Sequence, residues 1–327
     1  MFRFLFTIFT YSTINALSCI GDTGQTTDSW VAFKEPQGTK YLYYDGDALT
    51  PSKHSMNATT VGALANTVSQ LWNPLTQYII YNDEPPMSNK PYNYSVGHTK
   101  GIWAWTQEGE GFLLLHSIPL YPEGPSQVKK YSGLGGNAYM YGQNVACFTV
   151  SASTLNQIAT SALLTVADIY DSRVDSTTPS NLLALANGAA RTNPVCEHQT
   201  IETVGKTPLT YFAKSSQWNN ELYSACIAPE SGEPLYVESW IRGSAEGPSC
   251  AFPEVLDIKT LQFTSTIGFS EVNDHSKWAV SDGSFLCAAD INRMTTQYVR
   301  GGSAVCWNDT TLATTLRNAI TSSDNSC

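Results

Sequence analysis

The chain has 327 residues, enough to bury the core of one large domain or of two domains of ordinary size. Hydrophobic residues make up 42% of the sequence and charged residues only 14%, which excludes an intrinsically disordered protein. The formal net charge of −10 disfavours a polyanionic partner at neutral pH, and less so at about pH 5, where the five histidines and some carboxylates take up protons.

Residues 1–16 have the pattern of a secretory signal peptide. Arg3 supplies a positive charge ahead of the apolar run Leu5–Ile14, which ends at Asn15 and Ala16. This run is shorter than the roughly 20 apolar residues that span a bilayer, and no later stretch approaches that length. We therefore expect cleavage after Ala16, entry into the secretory pathway and no membrane anchor. The alternative is a buried N-terminal strand.

Cysteines and glycosylation sequons also fit an exported protein. The eight cysteines all follow Ala16, and their even number is typical of a chain with up to four disulfides. Their spacing leaves 105 connectivities open, and none stands in a C-x-x-C pair of the kind that binds zinc or carries redox chemistry. Sequons, which are glycosylated only on exported chains, occur at Asn57, Asn93 and Asn308.

Apolar periodicity and turn residues divide the mature chain into short helices and strands. The helical spacing of Val61, Leu64 and Val68 predicts a helix over residues 58–72. A last helix is predicted to begin near Asn308 or Asp309. The other predicted helices cover residues 153–170 and 180–188, and the predicted strands cover residues 78–81, 102–105, 112–115, 235–241 and 285–291. These elements indicate an α/β protein.

The most informative feature is a unit that occurs twice. His98-Thr99-Lys100 leads into a predicted strand, a glycine turn and a second strand that ends at His116. His275-Ser276-Lys277 leads into the same order of elements, with an Asp-Gly turn that is a strong hairpin signal. His116 follows His98 by 18 positions, and Asn292 follows His275 by 17. The repeat predicts two similar units in separate halves of one chain.

These units divide the mature chain into three parts. Residues 17–150 form an N-terminal catalytic half, residues 151–205 a helical connecting region, and residues 206–327 a C-terminal catalytic half. No low-complexity linker separates the halves. We therefore expect them to pack together around one site.

The His-x-Lys spacing suits phosphate chemistry. Along a strand, residues two apart project from the same face about 6.6 Å apart, so His98 and Lys100 share one space, as do His275 and Lys277. An imidazole can act as nucleophile or general acid, and an ammonium attracts phosphate oxygens. The four side chains together predict phosphodiester cleavage in which the lysines take the electrostatic role of a metal ion. No metal and no cofactor are expected, since the sequence lacks the common metal and nucleotide motifs.

At these residues the sequence resembles the deoxyribonuclease II family of lysosomal acid endonucleases. The resemblance runs in ordered blocks from Cys19 to the C-terminus and is weak over residues 151–205. The blocks are Cys19-Ile20-Gly21-Asp22-Thr23-Gly24, Tyr81-Asn82-Asp83-Glu84-Pro85-Pro86, Gly97-His98-Thr99-Lys100-Gly101, His116-Ser117-Ile118-Pro119, Tyr141-Gly142-Gln143, Phe212-Ala213-Lys214, Leu222-Tyr223-Ser224, Asp274-His275-Ser276-Lys277-Trp278, Asp290-Ile291-Asn292-Arg293 and Arg300-Gly301-Gly302.

The resemblance implies a phospholipase D-like fold, with two pseudo-symmetric halves that each hold a mixed β-sheet flanked by helices and pack around one central active site. It implies a lysosomal or secreted enzyme that cuts double-stranded DNA at acid pH without metal and leaves 3′-phosphate ends. The implied catalytic residues are His98, Lys100, His275 and Lys277. The implied disulfides are Cys19–Cys147, Cys250–Cys327 and Cys287–Cys306, which leaves Cys196–Cys226 as the fourth pair.

Supporting roles are less clearly indicated. In the wider phospholipase D pattern an Asp follows the His-x-Lys lysine after four residues; Asp282 meets this in the second half, but Trp105 stands there in the first. An orienting carboxylate for His98 must then come from elsewhere, with Asp83 and Asp290 as the candidates. His116 is either a satisfied buried residue or an orienter of the site. The supporting candidates are His116, Asp83, Asp282, Asp290 and Asn292.

Two other functions stay open. A lipid phosphodiesterase of the same fold would need an exposed apolar or amphipathic docking stretch, and none is found in the sequence. A secreted DNA-binding relative without catalysis is the other alternative, and intact His-x-Lys pairs in both halves argue against it. The sequence does not decide which histidine attacks phosphorus, or whether two chains form a homodimer.

Overall fold

The computed structural model describes residues 17–86 and 94–324, and the predicted signal peptide over residues 1–16 lies outside them. Two large β-sheets, one from each half of the chain, form the body of the protein. The short strands β1 (Cys19–Ile20) and β2 (Thr26–Thr27) pair separately at the start. Within the described residues, no helix combines the length and hydropathy that a membrane span requires.

The N-terminal sheet has eight strands, in the spatial order β10-β6-β7-β8-β9-β3-β4-β5, and every described pairing in it is antiparallel. In chain order its elements, with the helices between them, are β3 (Ser29–Lys34), β4 (Tyr41–Tyr44), β5 (Thr50–Pro51), α1 (Ala63–Val68), β6 (Gln77–Asn82), β7 (Lys100–Trp105), β8 (Gly111–His116), β9 (Gln143–Thr149), α2 (Ala152–Ala162) and β10 (Ile169–Arg173).

The C-terminal sheet has nine strands, in the order β11-β12-β18-β17-β16-β13-β14-β15, with β19 also paired to β14. Its β13–β14 pairing is parallel, so this sheet is mixed as expected, whereas the N-terminal sheet differs in being antiparallel. Its elements are α3 (Ser180–Ala186), β11 (Cys196–Glu202), β12 (Pro208–Lys214), α4 (Ala228–Ser231), β13 (Leu235–Glu238), β14 (Val255–Gln262), β15 (Gly268–Ser270), β16 (Trp278–Val280), β17 (Phe285–Ala289), β18 (Gly302–Asn308), α5 (Thr310–Ala319) and β19 (Ile320–Ser323).

The two sheets repeat one arrangement. The spatial order β6-β7-β8-β9-β3 in the first corresponds to β13-β16-β17-β18-β12 in the second. A helix also follows the fourth strand of each set along the chain, α2 after β9 and α5 after β18. The predicted α/β architecture of two pseudo-symmetric halves is therefore confirmed.

A hydrophobic core joins the inner faces of the two sheets. Side chains alternate along β7, so Trp103 faces the core shared with the second half while Ile102 faces the outer side beneath α1. Aromatic pairs cross between the halves: Trp103 lies 6.2 Å from Tyr211, and Phe148 lies 5.1 Å from Trp307, measured between ring centroids. This packing determines how the loops at the ends of the strands meet.

Several element boundaries differ from those predicted. The helix expected over residues 58–72 begins at Ala63 as α1 and ends as the 3₁₀ turn Ser69–Trp72. The helix expected over residues 153–170 stops early, because Val166 adopts a left-handed conformation with φ of 52°, and the chain continues as β10. The connecting region over residues 151–205 is thus not purely helical, since it also supplies the outermost strands β10 and β11.

Three of the four predicted disulfides are present. Cys19–Cys147 ties the start of the chain to β9, Cys287–Cys306 joins β17 to β18, and Cys196–Cys226 anchors β11. The predicted Cys250–Cys327 bond falls on Cys327, which lies outside the described residues. Among the sequons, Asn308 is exposed, Asn57 is half-buried, and Asn93 lies outside the described residues.

Candidate active site

Both His-x-Lys pairs line one cleft of about 250 Å³. His98, Lys100, His275 and Lys277 all contribute to its walls, although the two pairs are separated by more than half of the chain. The remaining lining residues are Glu84, Tyr94, Ser117, Pro119, Trp240, Asn292, Met294 and Gln297. The two His-x-Lys pairs thus meet at one place, as the repeated unit predicted. The catalytic role of the four residues stays a prediction.

The first pair is held by a contact from the second half. His98 precedes β7, and its backbone N–H donates to the carbonyl of Gly301 over 2.9 Å. Gly301 and Gly97 both pack tightly against Thr165. A Cβ at Gly301 would lie 2.2 Å from the Thr165 carbonyl oxygen, and a Cβ at Gly97 would lie 2.0 Å from it. These positions therefore require glycine because the backbones approach too closely for any side chain.

The second pair is held by the first half in the same way. The backbone N–H of His275 donates to the carbonyl of Gly142 over 2.9 Å, and Gly142 in turn donates to Asn273 over 2.8 Å. The backbone N–H of Lys277 donates to Oδ1 of Asn144 in β9 over 2.8 Å. Gly142 precedes β9 as Gly301 precedes β18, so each half carries the anchor for the histidine of the other.

A buried carboxylate stands beside the first pair. The side chain of Asp83 is fully buried; one oxygen accepts from Nζ of Lys100, and the other lies 3.0 Å from Nη2 of Arg300 and 3.9 Å from Nε2 of His98. Burial disfavours the charged form, but the attraction of Lys100, His98 and Arg300 outweighs it and holds the pKa of Asp83 below its usual range. Of the two carboxylates considered for His98, Asp83 is the one in contact.

The second histidine has aromatic neighbours in place of a carboxylate. The His275 ring stacks on Tyr141 with centroids 3.9 Å apart and planes 13° apart, and Trp240 lies 4.3 Å away on a tilted plane. Among the described residues, no Asp or Glu lies within ion-pair distance of His275, and its buried Nε2 has no hydrogen-bond partner. The two imidazoles thus occupy contrasting surroundings.

Crowded cations shift the titration of the cleft. Burial and the charges of Lys277 and Lys100 lower the pKa of His275 to about 2, and burial with Lys100 lowers the pKa of His98 well below its usual value. Burial and the charge of Lys100 lower the pKa of Lys277 to about 7. A nearby negative charge stabilises the protonated form of each of these three groups, so a bound phosphate raises all three pKa values. For the same reason the cleft favours an anion.

The other supporting candidates occupy different places. His116 is buried at the end of β8 and does not line the cleft; its Nδ1 accepts from the backbone N–H of Ile118 over 3.1 Å, whereas its Nε2 has no partner among the described residues. Asn292 lines the cleft, and its buried Oδ1 has no partner among the described residues. Asp290 accepts from the backbone and hydroxyl of Ser303, and burial raises its pKa to about 7.

Asp282 is not part of the cleft. It lies in the turn between β16 and β17, largely exposed, where it accepts from Nε of Arg317 over 2.6 Å. The four-residue spacing after Lys277 carries the chain along β16 to the far end of the hairpin, away from the loop that holds His275. A supporting role for Asp282 at the cleft is therefore wrong.

The sequence patterns did not identify three residues around the histidines: Tyr141 and Trp240, whose rings contact His275, and Arg300, which binds the Asp83 carboxylate beside His98. Tyr141 and Arg300 each precede the glycine that anchors the opposite histidine, so a comparison of the two halves around these glycines could have found them. Trp240 follows β13 without a motif, and no sequence signal points to it. Within the described residues, no group of three or more His, Cys, Asp or Glu side chains is arranged to hold a metal ion.

Comparison with known proteins gives one consistent family. The family model described as deoxyribonuclease II matches residues 18–326. Deoxyribonuclease-2-beta of Mus musculus is 31% identical over 316 residues, which cover 89% of this chain and 87% of the relative. Deoxyribonuclease-2-alpha of Bos taurus is 30% identical over 327 residues, 92% of this chain and 88% of the relative. A solved structure of yeast tyrosyl-DNA phosphodiesterase matches 66% of this chain and 67% of its own, at 9% identity and a TM-score of 0.31.

Proposed function

We propose that this chain, which belongs to the deoxyribonuclease II family, is an acid endonuclease that hydrolyses double-stranded DNA without a metal ion and leaves 3′-phosphate ends. The observation that carries the proposal is the convergence of His98, Lys100, His275 and Lys277 on one cleft. We further propose that the protein acts in the lysosome or outside the cell, in keeping with its disulfides.

The proposed reaction has two steps. In the first, one neutral imidazole attacks phosphorus and the bond from phosphorus to the 5′ oxygen breaks, while the other histidine, as imidazolium, gives its proton to the departing oxygen. The phosphoryl group is then attached to the first histidine through a P–N bond. In the second step the other histidine, now neutral, removes a proton from water, whose oxygen displaces the first histidine and yields the 3′-phosphate.

Lysine charges replace a metal ion in this scheme. Lys100 and Lys277 face the same cleft and offset the charge on the non-bridging oxygens as it shifts in the transition state. Asp83, the buried carboxylate beside the cleft, is already neutralised by Lys100 and Arg300, which leaves Glu84 as the one carboxylate among the lining residues. A site with this excess of fixed positive charge disfavours a divalent cation and favours phosphate.

The titration of the cleft accounts for an acid optimum. With its pKa at about 7, Lys277 is charged at about pH 5 and loses its charge as the pH rises through neutrality. The imidazolium that must donate a proton depends on the bound phosphate, because burial and the neighbouring lysines hold the pKa of both histidines below the usual value and a phosphate charge raises it again. Loss of the Lys277 charge therefore reduces cleavage above about pH 7.

Plasmid nicking by the purified protein at about pH 5 with excess EDTA tests the proposal. Wild-type protein is expected to nick, and His98→Ala and His275→Ala to lose activity by at least about 100-fold. His198→Ala is the matched control, because His198 is exposed and pairs with Glu230 at 3.2 Å, remote from the cleft lining. A requirement for added magnesium contradicts the mechanism, and nicking that survives both substitutions contradicts the site.

The covalent step has its own test. Rapid quenching of wild-type protein with DNA carrying labelled phosphate is expected to leave an alkali-stable, acid-labile label on histidine. His98→Ala and His275→Ala show which ring carries it. Full turnover with no label on either histidine would support direct attack by water in place of the phosphohistidine.

A further inference from the structure

The two histidines are anchored alike but surrounded differently. Each donates its backbone N–H to a glycine of the opposite half over 2.9 Å. Around the His98 ring stand the carboxylate of Asp83 and the guanidinium bound to it. The His275 ring instead contacts the rings of Tyr141 and Trp240 and, among the described residues, has no carboxylate within ion-pair distance. The pseudo-symmetry of the two halves is therefore broken at the two histidines.

The aromatic residues occupy the positions that correspond to the charged ones. Tyr141 precedes the anchoring Gly142 as Arg300 precedes Gly301. Asn82 lies opposite Lys100, and Glu238 lies opposite Trp278. Continued past the strand ends, these registers bring Asp83 opposite Thr99 and Trp240 opposite Ser276, the middle residues of the two pairs. The aromatic pair beside His275 therefore occupies the positions that correspond to the ion pair beside His98.

Stacking constrains His275 in a way that hydrogen bonds do not. The Tyr141 plane is 13° from the imidazole plane at 3.9 Å, so rotation of the ring about its Cβ–Cγ bond brings it into contact with Tyr141. Trp240 closes a second side at 4.3 Å and itself lines the cleft. The Nε2 atom of His275 has no protein partner in the described part of the chain, so no hydrogen bond from this atom holds the ring.

We propose that Tyr141 and Trp240 are positioning residues that clamp the imidazole of His275 and hold its Nε2 towards the reacting phosphate. The proposal rests on the function proposed above. A cation close to an aromatic face is attracted by the ring, so the clamp accepts both the neutral and the protonated imidazole. His275 can then exchange its proton during the reaction without a carboxylate partner, while the orientation of its ring stays constant.

Paired substitutions separate the ring contacts from general packing. Tyr141→Leu and Trp240→Leu remove the aromatic faces, whereas Tyr141→Phe and Trp240→Phe keep them. Tyr139→Leu is the matched control, because Tyr139 lies in the same segment, is partly exposed and has no ring contact with His275 among the described residues. The measurements are kcat and KM for plasmid nicking at about pH 5 with EDTA.

Both Leu variants are expected to lower kcat by about 100-fold, the usual effect of misplacing a reacting group by about 1 Å, with KM within about threefold of wild type. The Phe variants and Tyr139→Leu should stay within about threefold in both constants, since they keep the clamp. Equal losses in the Phe and Leu variants, or unchanged kcat in folded Leu variants, would overturn the proposal. If one Leu variant does not fold, the Leu and Phe variants at the other position decide by the same criteria.

A spectroscopic readout tests the clamp independently of cleavage. With labelled histidine, the signal lost in His275→Gln identifies the His275 ring among the five histidines. Stacking on Tyr141 shields the ring protons, so Tyr141→Leu is expected to move this signal downfield and Tyr141→Phe to leave it in place. An unmoved signal overturns the clamp. Absence of nicking by the wild-type protein contradicts the proposed function instead, and the shift of the His275 signal still decides the clamp.

Discussion

Replacement of Asp83 by Asn removes the one carboxylate, among the described residues, that forms an ion pair with His98 and Lys100. Its side chain is fully buried and adjoins three groups, Lys100, Arg300 at 3.0 Å and His98 at 3.9 Å. Lys100 and Arg300 are themselves 2% exposed, so water cannot compensate for the missing charge. Removing one partner of a buried ion pair costs about 3–5 kcal/mol, and we expect Asp83→Asn to lower the free energy of unfolding by this amount.

The pH dependence of this loss has a defined sign. The pKa of Asp83 is lowered in the folded protein, so its charge stabilises the fold above the unfolded pKa of about 3.9, and this contribution is lost as the pH falls towards the folded pKa. The difference in unfolding free energy between wild type and Asp83→Asn should therefore be the same at about pH 5 and pH 7. Below about pH 4 it should shrink by up to about 1.4 kcal/mol per pH unit.

Urea unfolding, followed by tryptophan fluorescence at several pH values, measures this difference. Asp282→Asn is the control, because Asp282 pairs with Arg317 at 2.6 Å but is largely exposed, and such pairs contribute less than about 1 kcal/mol. The reasoning is refuted if the two variants lose similar amounts, or if the Asp83→Asn difference grows as the pH falls from 5 to 3. Nicking activity should fall in Asp83→Asn alone.

Two further predictions concern the frame around the cleft. Burial raises the pKa of Asp290 to about 7, so the carboxylate destabilises the fold progressively above about pH 4. The unfolding free energy of Asp290→Asn should therefore gain about 3 kcal/mol relative to wild type between about pH 4 and pH 7 in urea unfolding, and a constant difference would contradict this. Gly301→Ala places a Cβ 2.2 Å from the Thr165 carbonyl oxygen and so displaces the backbone carbonyl that anchors His98. We expect this variant to lose about 10- to 100-fold in kcat/KM for plasmid nicking. Gly38→Ala is the control: its Cβ meets nothing within 4 Å, so neither activity nor stability should change.

Local patterns were sufficient to predict the elements that carry the chemistry. The strands expected after the first His-x-Lys pair are β7 and β8, and the last helix begins after Asp309, whose side chain accepts from the backbone N–H of Leu312. Both His-x-Lys pairs were found because residue type and spacing are local properties. Their meeting in one cleft could be expected from the repeat itself, since two similar units bury equivalent faces against each other.

Long-range neighbours could not be predicted in the same way. Asp83 was one of two carboxylates considered for His98, and the choice depends on the β6–β7 register, which brings Asn82 opposite Lys100. Asp282 was expected near the site because its spacing fits a pattern, although it belongs to the Asp-Gly turn that was predicted between the two strands and that lies at the far end of the hairpin. Tyr141 and Trp240 reach His275 from two different sheets, and neither has a sequence signature for that contact.

Each histidine is anchored by a glycine of the opposite half, so the geometry of the cleft depends on how the two halves pack. The carbonyl of Gly301 in the second half holds His98, and the carbonyl of Gly142 in the first half holds His275. The distance between the two imidazoles therefore depends on how the two sheets pack, through contacts such as Trp103 with Tyr211 and Phe148 with Trp307. Since protein interiors are closely packed, a shift of one sheet displaces both anchors together. Substitutions in the shared core should thus impair both histidines, although none of these residues lines the cleft.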